Sequence, residues 1–125
     1  MSATDYLEQR ILESIYTAQA LQFDAVYAAL FTSAPGEAGG GTEVSGNGYA
    51  RPLLAPQSPS GGASSNALTI TFPAASASWG TVVAFGIFDA LTGGNLLLYV
   101  TGLSNSVAVG QVVSIGVGDF DTTVD

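Results

Sequence analysis

The sequence predicts an all-β fold with an N-terminal α-helix, an antiparallel β-sandwich or jelly roll of about eight short strands. Three observations lead there. Apolar runs of about four to eight residues, rich in β-branched and aromatic side chains, recur from residue 25 onward between turn formers. Sixteen glycines and five prolines punctuate the 125 residues, which suits short strands and tight connections. Only the N-terminal stretch departs from this, with apolar residues at helical spacing. A helical arm over 1–22 and a single β-sandwich domain over 23–125 are therefore expected.

Residues 4–22 read as the helix. Leu7, Ile11 and Ile15 recur every fourth position with Leu12 and Tyr16 beside them, while Glu8, Arg10 and Glu13 lie elsewhere around the wheel. Ser2 or Thr4 can cap its start, and Asp5 and Glu8 complement the dipole in its first turns. Such a stripe packs either on the sheet of its own chain or on a neighbouring subunit. The first strand is expected at Ala25 to Thr32, apolar on both faces. A long glycine-rich loop follows from Ser33 to Gly48, ending in the turn signal Asn47-Gly48. Gly48 to Ala55 reads as a strand whose Pro52 confines it to an edge or ends it early. Pro56 to Ser65 has the composition of a flexible loop. Asn66 to Phe72 then alternates cleanly, with Leu68, Ile70 and Phe72 on one side and Thr69 and Thr71 on the other.

Trp79 to Tyr99 is the central feature. Val82 to Phe88 and Leu96 to Val100 are apolar runs, joined by a loop whose Gly93-Gly94 pair can supply the positive φ of a hairpin connection. Alternation puts Val83, Phe85 and Ile87 on one face and Val82, Ala84, Gly86 and Phe88 on the other. In the same way it sets Leu96 and Leu98 against Leu97 and Tyr99. A hairpin with one face in water should be polar there. This one is apolar on both, so each side needs a cover. Ser106 to Val109 and Gln111 to Val117 read as a second hairpin around Gly110, and Asp119 to Val124 as a last strand.

Charge sets the functional bounds. Ten acids face two bases, Arg10 and Arg51, for a net charge of −8, and lysine is absent. Phosphate neutralisation needs many basic side chains, so nucleic-acid binding is not expected. An anionic membrane surface is disfavoured for the same reason, and no apolar run has the length of a membrane span. The N-terminus has no basic region followed by an apolar core, so production and assembly in the cytoplasm are expected, not secretion. Charged residues make up only 10% of the chain against 47% hydrophobic, a balance suited to a protein buried among neighbours.

The same composition limits chemistry. With no histidine, cysteine or lysine, neither a serine triad nor a lysine-activated nucleophile can be assembled. Zinc sites built on Cys and His are excluded, and the glycines at 39–41 and 46–48 lack the lysine of a phosphate-binding loop. Asp119, Asp121 and Asp125 could offer oxygen ligands to calcium, although alternating acids on an outward strand face are far commoner. No catalytic residue, cofactor or metal is assigned. Arg51, two residues after Tyr49, either pairs with an acid such as Glu43 or serves a subunit interface, where Arg and Tyr are enriched.

Five segments carry a family resemblance: Ala29 to Pro35, Gly39 to Arg51 with its EVSGNGYAR, Asn66 to Phe72, Ala77 to Thr81, and Phe85 to Leu97 with its IFDALTGGNLL. In this order they resemble a family of small tailed-bacteriophage virion structural proteins, often labelled tail fibre proteins. The resemblance covers roughly residues 25 to 125, and the N-terminal helix fits it less closely. It implies a structural protein of the particle without enzymatic activity. The compact acidic β-domain looks like a capsid decoration, or cement, protein that sits on the outer capsid surface and holds major capsid subunits together. A tail, tail-fibre or baseplate component is the alternative, and a sandwich that binds host-surface glycan through Trp79, Tyr49 or other aromatics a third reading. The expected partners are further copies of the chain, a trimer first, with the major capsid protein or other virion proteins. The interface residues expected are Leu7, Ile11, Ile15, Tyr49, Arg51, Phe88, Leu97 and Tyr99.

Overall fold

The computed structural model describes residues 2–17, 25–54, 63–65, 70–115 and 121–123. Among the described residues the fold is mostly β, built from antiparallel sheets with one helix near the N-terminus. Five strands form the main sheet: β1 (Ser2–Ala3), β2 (Tyr27–Ser33), β3 (Thr42–Glu43), β7 (Ala84–Phe88) and β8 (Leu96–Val100). Their spatial order is β1-β8-β7-β2-β3. Three two-stranded sheets pair β5 (Ile70–Thr71) with β10 (Ser114–Ile115), β4 (Ala63–Ser65) with β11 (Asp121–Thr123), and β6 (Gly80–Val82) with β9 (Asn105–Val107).

The helix α1 spans Asp5–Tyr16, shorter than the 4–22 expected. Thr4 is its N-cap, accepting from the Leu7 amide, and Thr17 closes the last turn by donating its backbone N–H to the Glu13 carbonyl. Residues 18–22 of the expected helix lie outside the described residues. The arm is also less separate than the expected boundary at 22 implies, because Ser2 and Ala3 pair with Tyr99 and Leu98 as an edge strand of the main sheet. Among the described residues no helix is long and apolar enough to cross a membrane.

The two-sided apolar character of the central strands has an internal explanation. On one face, Ala28, Leu30, Ile87 and Leu97 join a cluster completed by Val44, Ile70, Phe72, Ala75, Trp79, Val82 and Val107. On the other, Ala29, Phe31, Ala84 and Leu96 form a second cluster bordered by Val83, Phe88 and Tyr99. Small residues make the second cluster possible. A Cβ on Gly86 would stand 2.7 Å from Leu96 Cδ1 and 3.3 Å from Phe31 Cε1, so large neighbours already fill the space above this glycine. Ala29 and Ala84 are fully buried beneath the same layer. Val83, Phe88 and Tyr99 border this second cluster and are themselves half-buried, while Leu7 of the helix packs against the first cluster.

Local departures from the expected strands have identifiable causes. Phe88 pairs with Leu96 but Ile87 pairs with Leu98, so Leu97 is an extra residue in β8. The bulge resets the alternation. Leu96 and Tyr99 share one face and Leu97 and Leu98 the other, whereas strict period-two counting groups Leu96 with Leu98. The Gly48 to Ala55 strand reduces to one bridge between Leu53 and Tyr27, as Pro52 has no N–H to continue a ladder. The loop from Ser33 to Gly48 contains β3, and Gly36 and Gly39 bridge each other within it. The turn at Gly110 exists, with φ 81°, and is closed by the Gln111 N–H to Ala108 carbonyl bond at 3.1 Å, but among the described residues no strand ladder continues from it. The amides of Phe72 and Ala75 take the carbonyls of Val113 and Gln111 instead, and β9 goes to β6. Ile70 and Phe72 are buried and Thr71 is exposed, as the alternation required; Leu68 and Thr69 lie outside the described residues.

Candidate functional site

The side chains richest in chemistry meet at the tip of the central hairpin. Glu43 reaches there because β3 pairs with the end of β2, and Arg51 because the chain turns at Asn47-Gly48, both of which hold positive φ (53° and 83°). Arg51 is 8% exposed. Its guanidinium grips Glu43 with two parallel bonds, Nε to Oε2 at 2.8 Å and Nη2 to Oε1 at 2.7 Å. Nη1 donates to the carbonyls of Ala90 and Gly93, each at 2.8 Å, inside the loop that joins β7 to β8. The same cation lies over the Phe88 ring, 3.7 Å from its centroid, in cation–π geometry. A single arginine thus holds a carboxylate, a loop and an aromatic ring. Burial alone would lower its pKa, but the bonds and charge of Glu43 outweigh that and raise it.

Tyr49 completes the network. Its hydroxyl donates to Glu43 Oε2 at 2.6 Å and accepts from the Leu30 amide at 3.1 Å. Burial, with the hydrogen bond to Glu43, pushes the phenol pKa far above the ordinary tyrosine range. The ring stacks on Phe72 at 6.1 Å and meets Trp79 edge-on at 5.4 Å. Trp79 is 6% exposed and donates Nε1–H to the Asn47 carbonyl at 2.9 Å. Neither aromatic can therefore serve as the exposed platform that the glycan-binding reading needed. Within the loop itself, Asp89 accepts from the backbone amide of Asn95 at 2.7 Å, and Gly93 and Gly94 adopt φ of 60° and 74°.

Of the residues expected at an interface, several are used inside the chain. Leu97 is 3% exposed in the first cluster, because the bulge at that position turns it inward. Arg51 and Tyr49 belong to the network just described, the internal one of the two roles weighed for Arg51. Phe88 is half-buried between Arg51 and Phe31, whose ring lies 6.0 Å away. Tyr99 is half-buried, and its hydroxyl donates to Glu37 Oε1 at 2.8 Å. On the helix, Leu7 and Ile11 are half-buried but Ile15 is 66% exposed.

The helix carries the features that reading the sequence missed. Leu12 and Tyr16 are exposed together with Ile15, so the apolar residues of its second half face solvent. Beside its first turn, the carboxylates of Asp5, Glu8 and Glu37 come within 4.8 Å of one another, all exposed. Glu37 arrives from the turn between Gly36 and Gly39, whose backbone Glu37 carbonyl accepts from the Asp5 amide at 2.8 Å. That contact is non-local, and nothing in the sequence pattern announces it. The calcium-type acids weighed from sequence cannot be placed as a group: Asp121 is in β11, while Asp119 and Asp125 lie outside the described residues.

Compared with known families, residues 2–123 match the family described as Gp80: Podophage GP4 fiber I protein gp80. No curated protein matches the chain.

Proposed function

The chain belongs to the podophage GP4 fiber I protein gp80 family, and from that premise we propose that it is a non-enzymatic structural subunit of a phage virion, of fibre type. The observation that carries this reading is the family match over residues 2–123, which takes in helix, sheet and hairpin together. The geometry agrees with it. Arg51, Glu43 and Tyr49 are the groups best equipped for chemistry, and their polar atoms are engaged in holding β3, the Asn47 turn and the hairpin loop in place. A network whose bonds are all internal stiffens a building block; it offers no poised acid, base or nucleophile.

Capsid decoration is the second reading. It is favoured by the lack of an internal repeat in the sequence, since fibres are commonly built from repeated units. A homotrimer, expected from the two-sided strands, would find half-buried Val83, Phe88 and Tyr99 on the second face of the sheet. Particle reconstruction tests both readings. Density for this chain on a tail appendage supports the fibre reading, and density on the shell between capsomers supports the decoration reading. Purified virions without the chain would end both.

A further inference from the structure

We infer that the outer face of α1 docks on a different virion protein, one that offers an apolar socket with basic residues beside it, and not on a second copy of this chain. The inference rests on the virion reading above and adds the chemistry of the partner. Leu12, Ile15 and Tyr16 are 50%, 66% and 82% exposed and stand on one side of the helix. Large apolar side chains so grouped mark a contact surface. The helix does not need this side for its own attachment, which runs through Thr4, Leu7 and the pairing of β1.

Charge decides which partner fits. The same side of the helix is acidic in its first half, where Asp5 and Glu8 are exposed beside Glu37. A second copy packed antiparallel would set these acids against the apolar half. One packed parallel would set acid against acid, which costs binding energy. A second copy offers one cation at most: Arg51 is buried on Glu43, the chain has no lysine, and Arg10, 3.8 Å from Glu13, lies on the other side of the helix. A partner with arginine or lysine next to an apolar pocket satisfies both halves of the face at once.

The test uses intact virions carrying a photo-crosslinking phenylalanine analogue in place of Tyr16, with a second preparation carrying it in place of exposed Val109 as control. Crosslinked peptides are then sequenced. A crosslink from position 16 to another virion protein, at an apolar segment with Arg or Lys within a few residues, is the expected result. A crosslink to a second copy, to a segment without basic residues, or to nothing overturns the inference. Virions that contain no copy of the chain would instead overturn the virion reading itself, so the two failures are distinguishable. As a second readout, Leu12→Ser with Ile15→Ser should lower incorporation into particles by roughly tenfold or more, while the purified variant keeps the thermal midpoint of the parent. Unchanged incorporation would also overturn the proposal.

Discussion

The hairpin tip and the N-terminal helix spend their side chains in opposite ways. At the tip, one buried arginine satisfies a carboxylate, two carbonyls and a ring. On the helix, the apolar residues that would stabilise a fold by burial are left in water. The first region satisfies its polar groups within the single chain; the second leaves Leu12, Ile15 and Tyr16 exposed. Amino-acid type alone does not separate them, since arginine and tyrosine suggest an interface and leucine and isoleucine suggest a core. Position decides: Glu43 is close enough to claim Arg51, and Leu7 and Thr4 anchor the helix while its second half stays exposed.

That contrast can be broken from the tip first. Arg51→Ala should cost about 3 kcal/mol, the lower end for one member of a buried pair, since Glu43 retains 23% side-chain exposure. Urea unfolding measures it, and a loss under about 1 kcal/mol would show that the tip holds without its cation. Gly86→Ala comes next, at about 1–3 kcal/mol. The new Cβ would meet not only the Leu96 side chain but the Leu98 carbonyl oxygen at 2.8 Å, and backbone yields less than a side-chain end.

A smaller effect depends on pH. Because the Tyr49 pKa is raised in the fold, its contribution is full below the unfolded phenol value of about 10 and drains away as pH rises beyond it. The stability advantage of the parent over Tyr49→Phe should therefore be constant from about pH 7 to 9 and shrink above about 10. Chemical denaturation at several pH values checks this, and an advantage that grew with pH would contradict the sign. The smallest change is expected on the helix. Ile15→Ser should shift stability by less than about 0.5 kcal/mol, as surface substitutions do. A larger loss would mean that the helix face is covered within the chain after all.

Much of this was legible in the sequence, and what was not shares a cause. The cap at Thr4, the glycines of the hairpin loop and the Arg51–Glu43 pair all follow from residue type and short spacing. The class of fold follows from apolar runs and turns. The bulge at Leu97, the choice of β6 by β9, and the approach of Glu37 to Asp5 follow from contacts across the fold. A one-residue bulge inverts a face without altering composition, so strict alternation misplaced Leu97. The helix stripe was visible, but which part of it would be buried depended on where β1 and Thr4 fixed its start.

Thr4 has a mechanical consequence. It is 1% exposed; its amide donates to the Leu97 carbonyl, its hydroxyl donates to the Leu96 carbonyl at 2.6 Å, and that same oxygen caps α1. Tension applied to the chain ahead of Ser2 must first part β1 from β8 and then tear Thr4 from the hairpin before any helical turn can unwind. The load path enters the sheet at its edge and bypasses the helix, so α1 keeps its orientation on the sheet until that edge gives way.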